Sequence, residues 1–211
     1  MPNDSKSHKN DFFYKQAKKE KYRARSAYKL IDLQNKFNLF KRAFYILDLG
    51  SAPGSWLQIS KKFAEENLKK YSDQFYHRDH YKIMGVDTKK LAPIDNVVIV
   101  NNDFTTSLFQ GQIEDYFRDK LDLILSDASI KKTGNKFSDH IKQIQLCNKV
   151  LLIIKDNLKH KGNAVIKVFQ GSDFDRFAKE MKSIFRFVKP YKPKSSKKKS
   201  NETFLVGLQK V

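Results

Sequence analysis

The sequence holds one cysteine, Cys147, among its 211 residues. That excludes an internal disulfide framework and any zinc site built from several cysteines. It fits a reducing compartment, so a cytoplasmic location is expected. No apolar run approaches the ~18–20 residues a membrane-spanning helix needs. The polar start MPNDSKSHKN lacks the apolar segment of a secretory signal, and Asp4 and Asp11 argue against a transit peptide. His77, His80, His140 and His160 show no ligand spacing, so they read as surface residues and no metal is expected. Acids are scarce as well: 23 Asp and Glu stand against 42 Lys and Arg, a formal net charge of +19. Such a field draws polyanions, and nucleic acid is the commonest one a basic protein meets. An anionic membrane would call for an amphipathic or lipidated anchor, and neither is seen.

A lysine-rich background would give the same total, so the placement of the charge decides more. Lys6 to Lys29 carries nine Lys or Arg and two acids, interleaved with Phe12, Phe13, Tyr14, Tyr22 and Tyr28. Lys189 to Ser200 (KPYKPKSSKKKS) carries six lysines and no acid. Its two prolines and its serines mark a loop. The middle of the chain is closer to neutral and more apolar. At this length one domain is expected: a basic extension over 1–25, then a single domain over 26–211 with a lysine-rich loop at 189–200. Nothing points to an obligate interface, so a monomer is expected.

Short apolar runs alternate with amphipathic ones. Phe44–Leu49, Lys82–Val86, Val97–Val100, Leu121–Leu125 and Ala164–Phe169 read as strands covered on both faces. Trp56–Leu68, Gln112–Lys120, His140–Leu158 and Phe174–Phe185 read as helices, and Ser26–Lys41 as a leading helix with Ser26 a candidate cap. Arg186–Lys189 and Thr203–Leu208 bracket the lysine-rich loop as a closing hairpin. Alternating strands and helices imply a mostly parallel, doubly wound α/β sheet.

In such sheets, ligands sit beyond the carboxyl ends of the strands. The first strand runs into Asp48-Leu-Gly-Ser-Ala-Pro-Gly-Ser-Trp56, in which Gly50, Ala52 and Gly54 keep the loop thin. This is not the GxGxxG dinucleotide fingerprint. Asp87, Asp103 and Asp127 follow the next three strands. Each alone reads equally well as a helix cap. Together they suit a cationic nucleoside better than a polyphosphate, with Asp87 on ribose hydroxyls and Asp103 beside Phe104 at an adenine.

DLGSAPGSW (48–56), SDAS (126–129), VIKVFQG (165–171) and SNETFLV (200–206) together resemble the FtsJ family of ribosomal RNA 2′-O-methyltransferases. KKEKYRARSAYKL (18–30) is similar to the family's basic lead-in, and KPKSSKKKSNET (192–203) to its terminal segment. The resemblance covers roughly residues 12–208. It implies a Rossmann-like S-adenosylmethionine-dependent methyltransferase fold, a mostly parallel seven-stranded sheet with an antiparallel last strand inserted beside Ala164–Phe169. It implies a catalytic tetrad of Lys29, Asp127, Lys167 and Glu202, and S-adenosylmethionine held at Gly54, Trp56, Asp87, Asp103 and Asp127. Three features depart from the family: Ser55 stands where a second glycine is frequent, SDASIKKTGN lacks the Met-Ala-Pro run that usually follows the aspartate, and 69–80 looks like an insertion.

The implied reaction moves a methyl group from a sulfonium to a ribose 2′-hydroxyl, which must lose its proton as it attacks. Lys167 is the expected general base, with Asp127 and Glu202 orienting it and the substrate. Discharge of the sulfonium explains why no metal is required. Large-subunit ribosomal RNA, free or in the subunit, is the expected partner. Basic residues would hold its phosphates, and Phe12, Phe13, Tyr14 or Tyr22 would stack an unpaired base. The alternatives are a transfer RNA or cap 2′-O-methyltransferase, whose relatives often bring extra domains, or a noncatalytic RNA-binding assembly factor.

Overall fold

The computed structural model describes residues 12–71, 79–197 and 200–211. His77, most of the 69–80 segment, the first eleven residues of the basic extension and two lysines of the 189–200 loop lie outside the described residues. The elements follow in the order α1 (Phe12–Lys19), α2 (Ala27–Phe37), β1 (Tyr45–Leu49), α3 (Ser55–Lys70), β2 (Lys82–Asp87), β3 (Val98–Asn101), α4 (Ser107–Phe117), β4 (Leu121–Ser126), α5 (Lys136–Asn157), β5 (Leu158–Phe169), α6 (Phe174–Lys182), β6 (Phe185–Tyr191) and β7 (Glu202–Lys210).

The strands form one seven-stranded sheet in the order β3-β2-β1-β4-β5-β7-β6. The first five pair in parallel, and β7 runs antiparallel between β5 and β6. Every residue of β1 and β4 is buried, as strands covered on both faces require. Leu30 and Leu33 of α2 and Trp56, Leu57 and Ile59 of α3 cover one face. Phe109, Ile113 and Phe117 of α4, the apolar stripe of α5 and Phe177 of α6 cover the other. The Rossmann-like expectation, the closing hairpin and the inserted antiparallel strand are all present.

Several boundaries differ from the sequence reading. The leading helix stops at Phe37 rather than Lys41, because Asn38 takes a left-handed conformation (φ 52°) and donates its N–H to Gln34 O. Ser26 does not cap it by its side chain. Its hydroxyl meets Ser55 Oγ at 2.7 Å, and its carbonyl accepts Trp56 Nε1–H. Ser55, which stands where the family often has glycine, thus ties the loop helix α3 to the start of α2. The helix expected over Gln112–Lys120 begins at Ser107 and ends where Arg118 turns left-handed (φ 55°). Within the basic extension, Phe12–Lys19 is helical: Ala17 is buried, and Phe13 packs its ring 5.5 Å from that of Tyr28. His140 is not a surface residue. It is buried at the start of α5, where Nε2 accepts the backbone N–H of Asp173 at 3.1 Å. His80 and His160 are exposed, and Cys147 is core.

Candidate active site

The strand order reverses between β1 and β4, and a cleft of ≈ 380 Å³ opens there, beyond the carboxyl ends of β1 to β4. Gly50, Asp87, Asp103 and Asp127 line it together with Phe104, Ile130 and Leu146. Asp87 knits its floor: Oδ2 accepts Ala52 N–H and Oδ1 accepts Lys89 N–H, both at 2.9 Å. Asp103 turns one oxygen to Thr105 N–H. The Ala52–Pro53 peptide is cis. Beneath the loop, the fully buried Asp48 carboxyl is pushed well above the usual carboxylate range by burial first and by Asp127 and Asp87 second.

Three side chains from distant parts of the chain meet around Asp127. Lys167 Nζ lies 3.1 Å from Asp127 Oδ1 and donates to Asp127 O at 2.5 Å. Lys29 Nζ lies 3.4 Å from Asp127 Oδ1 and 3.8 Å from Glu202 Oε2. Sheet register explains why Lys167 is inside: it sits opposite Phe204 on β7, and Phe204 belongs to the core under α2 and α3. Side chains on opposed positions share a face, so Lys167 points towards the helix that carries Lys29. Its relative exposure of 6% excludes a snorkelling surface lysine. The same antiparallel pairing places Glu202 opposite Phe169, one step beyond the end of the buried run.

On the other side of this cluster lies a second cleft of ≈ 480 Å³, lined by Arg25, Lys29, Lys132, Lys197, Ser200 and Glu202 among others. Asp127 belongs to the wall of the first cleft and Lys29 and Glu202 to the second. An acid-lined cavity and a cation-lined one are therefore linked through the Lys29–Asp127 pair, while the buried Lys167 lines neither. Lys132 pairs with Glu202 at 3.4 Å. Asp32 anchors the chain entering the lysine-rich loop, accepting Tyr191 O–H at 3.1 Å and Lys194 N–H at 2.7 Å, and Arg25 donates to Ser195 O.

Two expected cofactor residues lie apart from the cleft lining. Trp56 is 3% exposed, with its ring 5.8 Å from Phe204, so its indole is core and unavailable to a ligand. Gly54 (φ 104°) precedes α3 and lies against Arg23, whose guanidinium donates to Pro53 O, Ala92 O and Pro93 O. Arg23 of the basic lead-in thus serves the loop rather than a phosphate. The sequence reading missed Gln143. Buried at 1% exposure, it donates from Nε2 to Ala128 O and Lys167 O and accepts Ile130 N–H, each at 3.1 Å. It fastens the segment after Asp127 to the strand that carries Lys167. A glutamine inside the apolar stripe of α5 was the available signal.

The first cleft suits a cationic nucleoside. Its acids complement a sulfonium and hydroxyl groups, and its apolar members suit a base. Gly50 (φ 77°) leaves the backbone open: a Cβ there would stand 2.6 Å from Ala128 Cβ. Among the described residues there is no cluster of three His, Cys, Asp or Glu set to hold a metal, and no helix is long and apolar enough to cross a membrane.

Comparison with known proteins identifies the family. A family model described as FtsJ-like methyltransferase matches residues 22–210. The chain is 38% identical over 203 residues to ribosomal RNA large subunit methyltransferase E of Methanobrevibacter smithii, covering 95% of this chain and 90% of that protein. It is 36% identical to the protein of the same name from Nitrosospira multiformis, covering 97% and 94%. A solved structure titled as a ribosomal RNA methyltransferase from Plasmodium falciparum superposes with TM-score 0.74 at 30% identity, covering 90% of this chain and 98% of that one. With the family match running from the lead-in to the last strand, the chain belongs to the FtsJ-like methyltransferase family.

Proposed function

We propose that the protein methylates a ribose 2′-hydroxyl of large-subunit ribosomal RNA, with S-adenosylmethionine in the acid-lined cleft, the ribose in the cation-lined cleft and Lys167 as general base. The observation that carries this reading is the buried Lys167 amine, 3.1 Å from Asp127 Oδ1, a carboxylate that lines the acid-lined cleft and also meets Lys29 of the cation-lined one. Asp87, Asp103 and Asp127 would hold the cofactor with the backbone about Gly50 and Ala52, and Gly54 and Trp56 would contribute at most main-chain contacts. S-adenosylmethionine supplies a methyl group made electrophilic by its sulfonium charge.

Lys167 would take the hydroxyl proton as the ribose oxygen bonds to the methyl carbon and the methyl–sulfur bond breaks, leaving neutral S-adenosylhomocysteine. Asp127 fixes the position of Lys167 through its carboxylate and its carbonyl. Lys29, between Asp127 and Glu202, offers positive charge to the developing alkoxide. Glu202 steadies Lys29 and Lys132 at the mouth of the cation-lined cleft. Basic residues of the 1–25 extension other than Arg23, and those of the 189–200 loop, would bind RNA phosphates. That the chain's relatives are named for large-subunit ribosomal RNA supports the choice of acceptor.

The test is methyl transfer from labelled S-adenosylmethionine to ribosomal subunits, transfer RNA and capped RNA, wild type against Lys167→Met and Lys167→Ala, with cofactor binding as the check on folding. Loss of a general base lowers the rate by about 10²–10⁴-fold. Transfer to the large subunit that falls by this much while the cofactor still binds supports the proposal. Transfer only to transfer RNA or capped RNA overturns the substrate. Undiminished transfer by Lys167→Met overturns the base.

A further inference from the structure

We infer that a second RNA subsite lies beside the tetrad: an unpaired nucleotide next to the methylated ribose docks between the first turn of α5 and the turn after β5, its base against the ring of Phe137. This rests on the ribose-methylation reading above. The place is a cleft of ≈ 650 Å³ whose members include Lys132, Lys136, Phe137, His140, Gln170 and Asn201. Lys132 also lines the cation-lined acceptor cleft, so the two are contiguous through one side chain. An RNA strand that leaves a ribose at Lys167 can continue along this path.

The chemistry of the lining matches a nucleotide. Phe137 is 70% exposed, a large ring held out to solvent from a helix rather than a loose loop. Its support is stiff. Asn135 Oδ1 accepts Phe137 N–H and Ser138 N–H, and Asp139 accepts Thr133 N–H, Thr133 Oγ1–H and Gly134 N–H. These bonds occupy the Phe137 and Ser138 amides and hold the Asp139 carboxylate, which also lines the cleft, turned to Thr133 and Gly134; Lys132 and Lys136 outnumber that one acid in the charge a phosphate meets. Lys132 stands 4.6 Å from the Phe169 ring centroid, and Gln170 and Asn201 bring amides able to reach base edges. At the back, the buried His140 has Nδ1 without a hydrogen-bond partner among the described residues. A Cβ on Gly171 would lie 2.5 Å from that nitrogen, so any other residue would displace the floor. A ring, two lysines and amide groups beside the acceptor site fit an unpaired base with its phosphate. The acid-lined cleft lies on the far side of Asp127 and is already suited to the cofactor.

The experiment measures the full chain against a fluorescein-labelled single-stranded oligoribonucleotide about ten nucleotides long, and against the same oligonucleotide made abasic. The variants are Phe137→Ala, Phe137→Leu and Phe137→Trp. Stacking of one base predicts that Phe137→Ala and Phe137→Leu weaken binding about tenfold and that Phe137→Trp keeps it. Wild type should bind the abasic strand as weakly as the alanine variant binds the intact one. In methyl transfer, the loss from Phe137→Ala should fall on KM for RNA, with affinity for S-adenosylhomocysteine unchanged. Equal RNA binding by Phe, Ala and Leu at 137 overturns the subsite. So does a loss confined to intact ribosomal subunits, which would mark Phe137 as a contact for protein. Because oligonucleotide binding is read without turnover, failure of wild type to methylate large-subunit RNA would strike the proposed reaction and leave the stacking result to stand or fall by itself.

Discussion

Gln143→Met should damage both stability and catalysis although residue 143 touches the tetrad only through the backbone carbonyl of Lys167. Methionine nearly conserves volume, so the change removes hydrogen bonds with little cavity. Four bonds go: those to Ala128 O and Lys167 O, that from Ile130 N–H, and a weak one of 3.8 Å to Cys147 Sγ. Lys167 O keeps the Cys147 thiol at 3.3 Å, so the uncompensated groups are Ala128 O and Ile130 N–H. At about 1–3 kcal/mol for each buried group left unpaired, with half-buried Ile130 discounted, the cost is about 2–4 kcal/mol. For a chain of this size that lowers Tm by about 5–15 °C. The assay is urea unfolding of both proteins, with methyl transfer measured well below either Tm. The rate should still fall there, because Asp127 and Lys167 flank the segments that Gln143 joins. Gln143→Glu serves as the control. It keeps an acceptor for Ile130 N–H but turns a carboxylate to two carbonyls, and should be no more stable than the methionine variant. A loss under about 1 kcal/mol with an unchanged rate would refute the role given to Gln143.

Asp48 holds its proton in the fold above the pH at which the unfolded chain releases it, because burial, Asp127 and Asp87 all raise it. Stability contributed by the neutral acid is therefore complete below the unfolded pKa of about 3.9 and declines as pH rises towards the folded one. Asp48→Asn should remove that slope, so urea unfolding at acid and alkaline pH should favour the variant increasingly as pH rises; a constant difference would sink the assignment. Gly50→Ala must fit a Cβ 2.6 Å from Ala128 Cβ at a left-handed backbone position. It should cost about 1–3 kcal/mol of stability and weaken S-adenosylhomocysteine binding measured by calorimetry. Unchanged affinity would show that the cleft does not depend on that close approach.

Local composition already determined most of the layers. Apolar runs such as Leu121–Leu125 have few ways to be satisfied except as strands covered on both faces, and an acid following each of three runs marks one edge of the sheet. The resemblance named Lys29, Asp127, Lys167 and Glu202 from motif context, and the fold brings these four together. What escaped the sequence depends on partners far along the chain. Ser26 reads as a cap until Ser55 and Trp56 arrive against it. Trp56 reads as a ligand contact until Phe204 covers its ring. His140 reads as surface until Asp173 and Gly171 close over it. Gln143 and Asp32 look like ordinary polar helix residues, and only packing shows that one ties two strand ends together and the other secures the lysine-rich loop. Periodicity reports which face of an element is apolar. Which distant group then satisfies a polar atom on that face is decided only when the sheet register and helix packing bring the two within hydrogen-bonding reach.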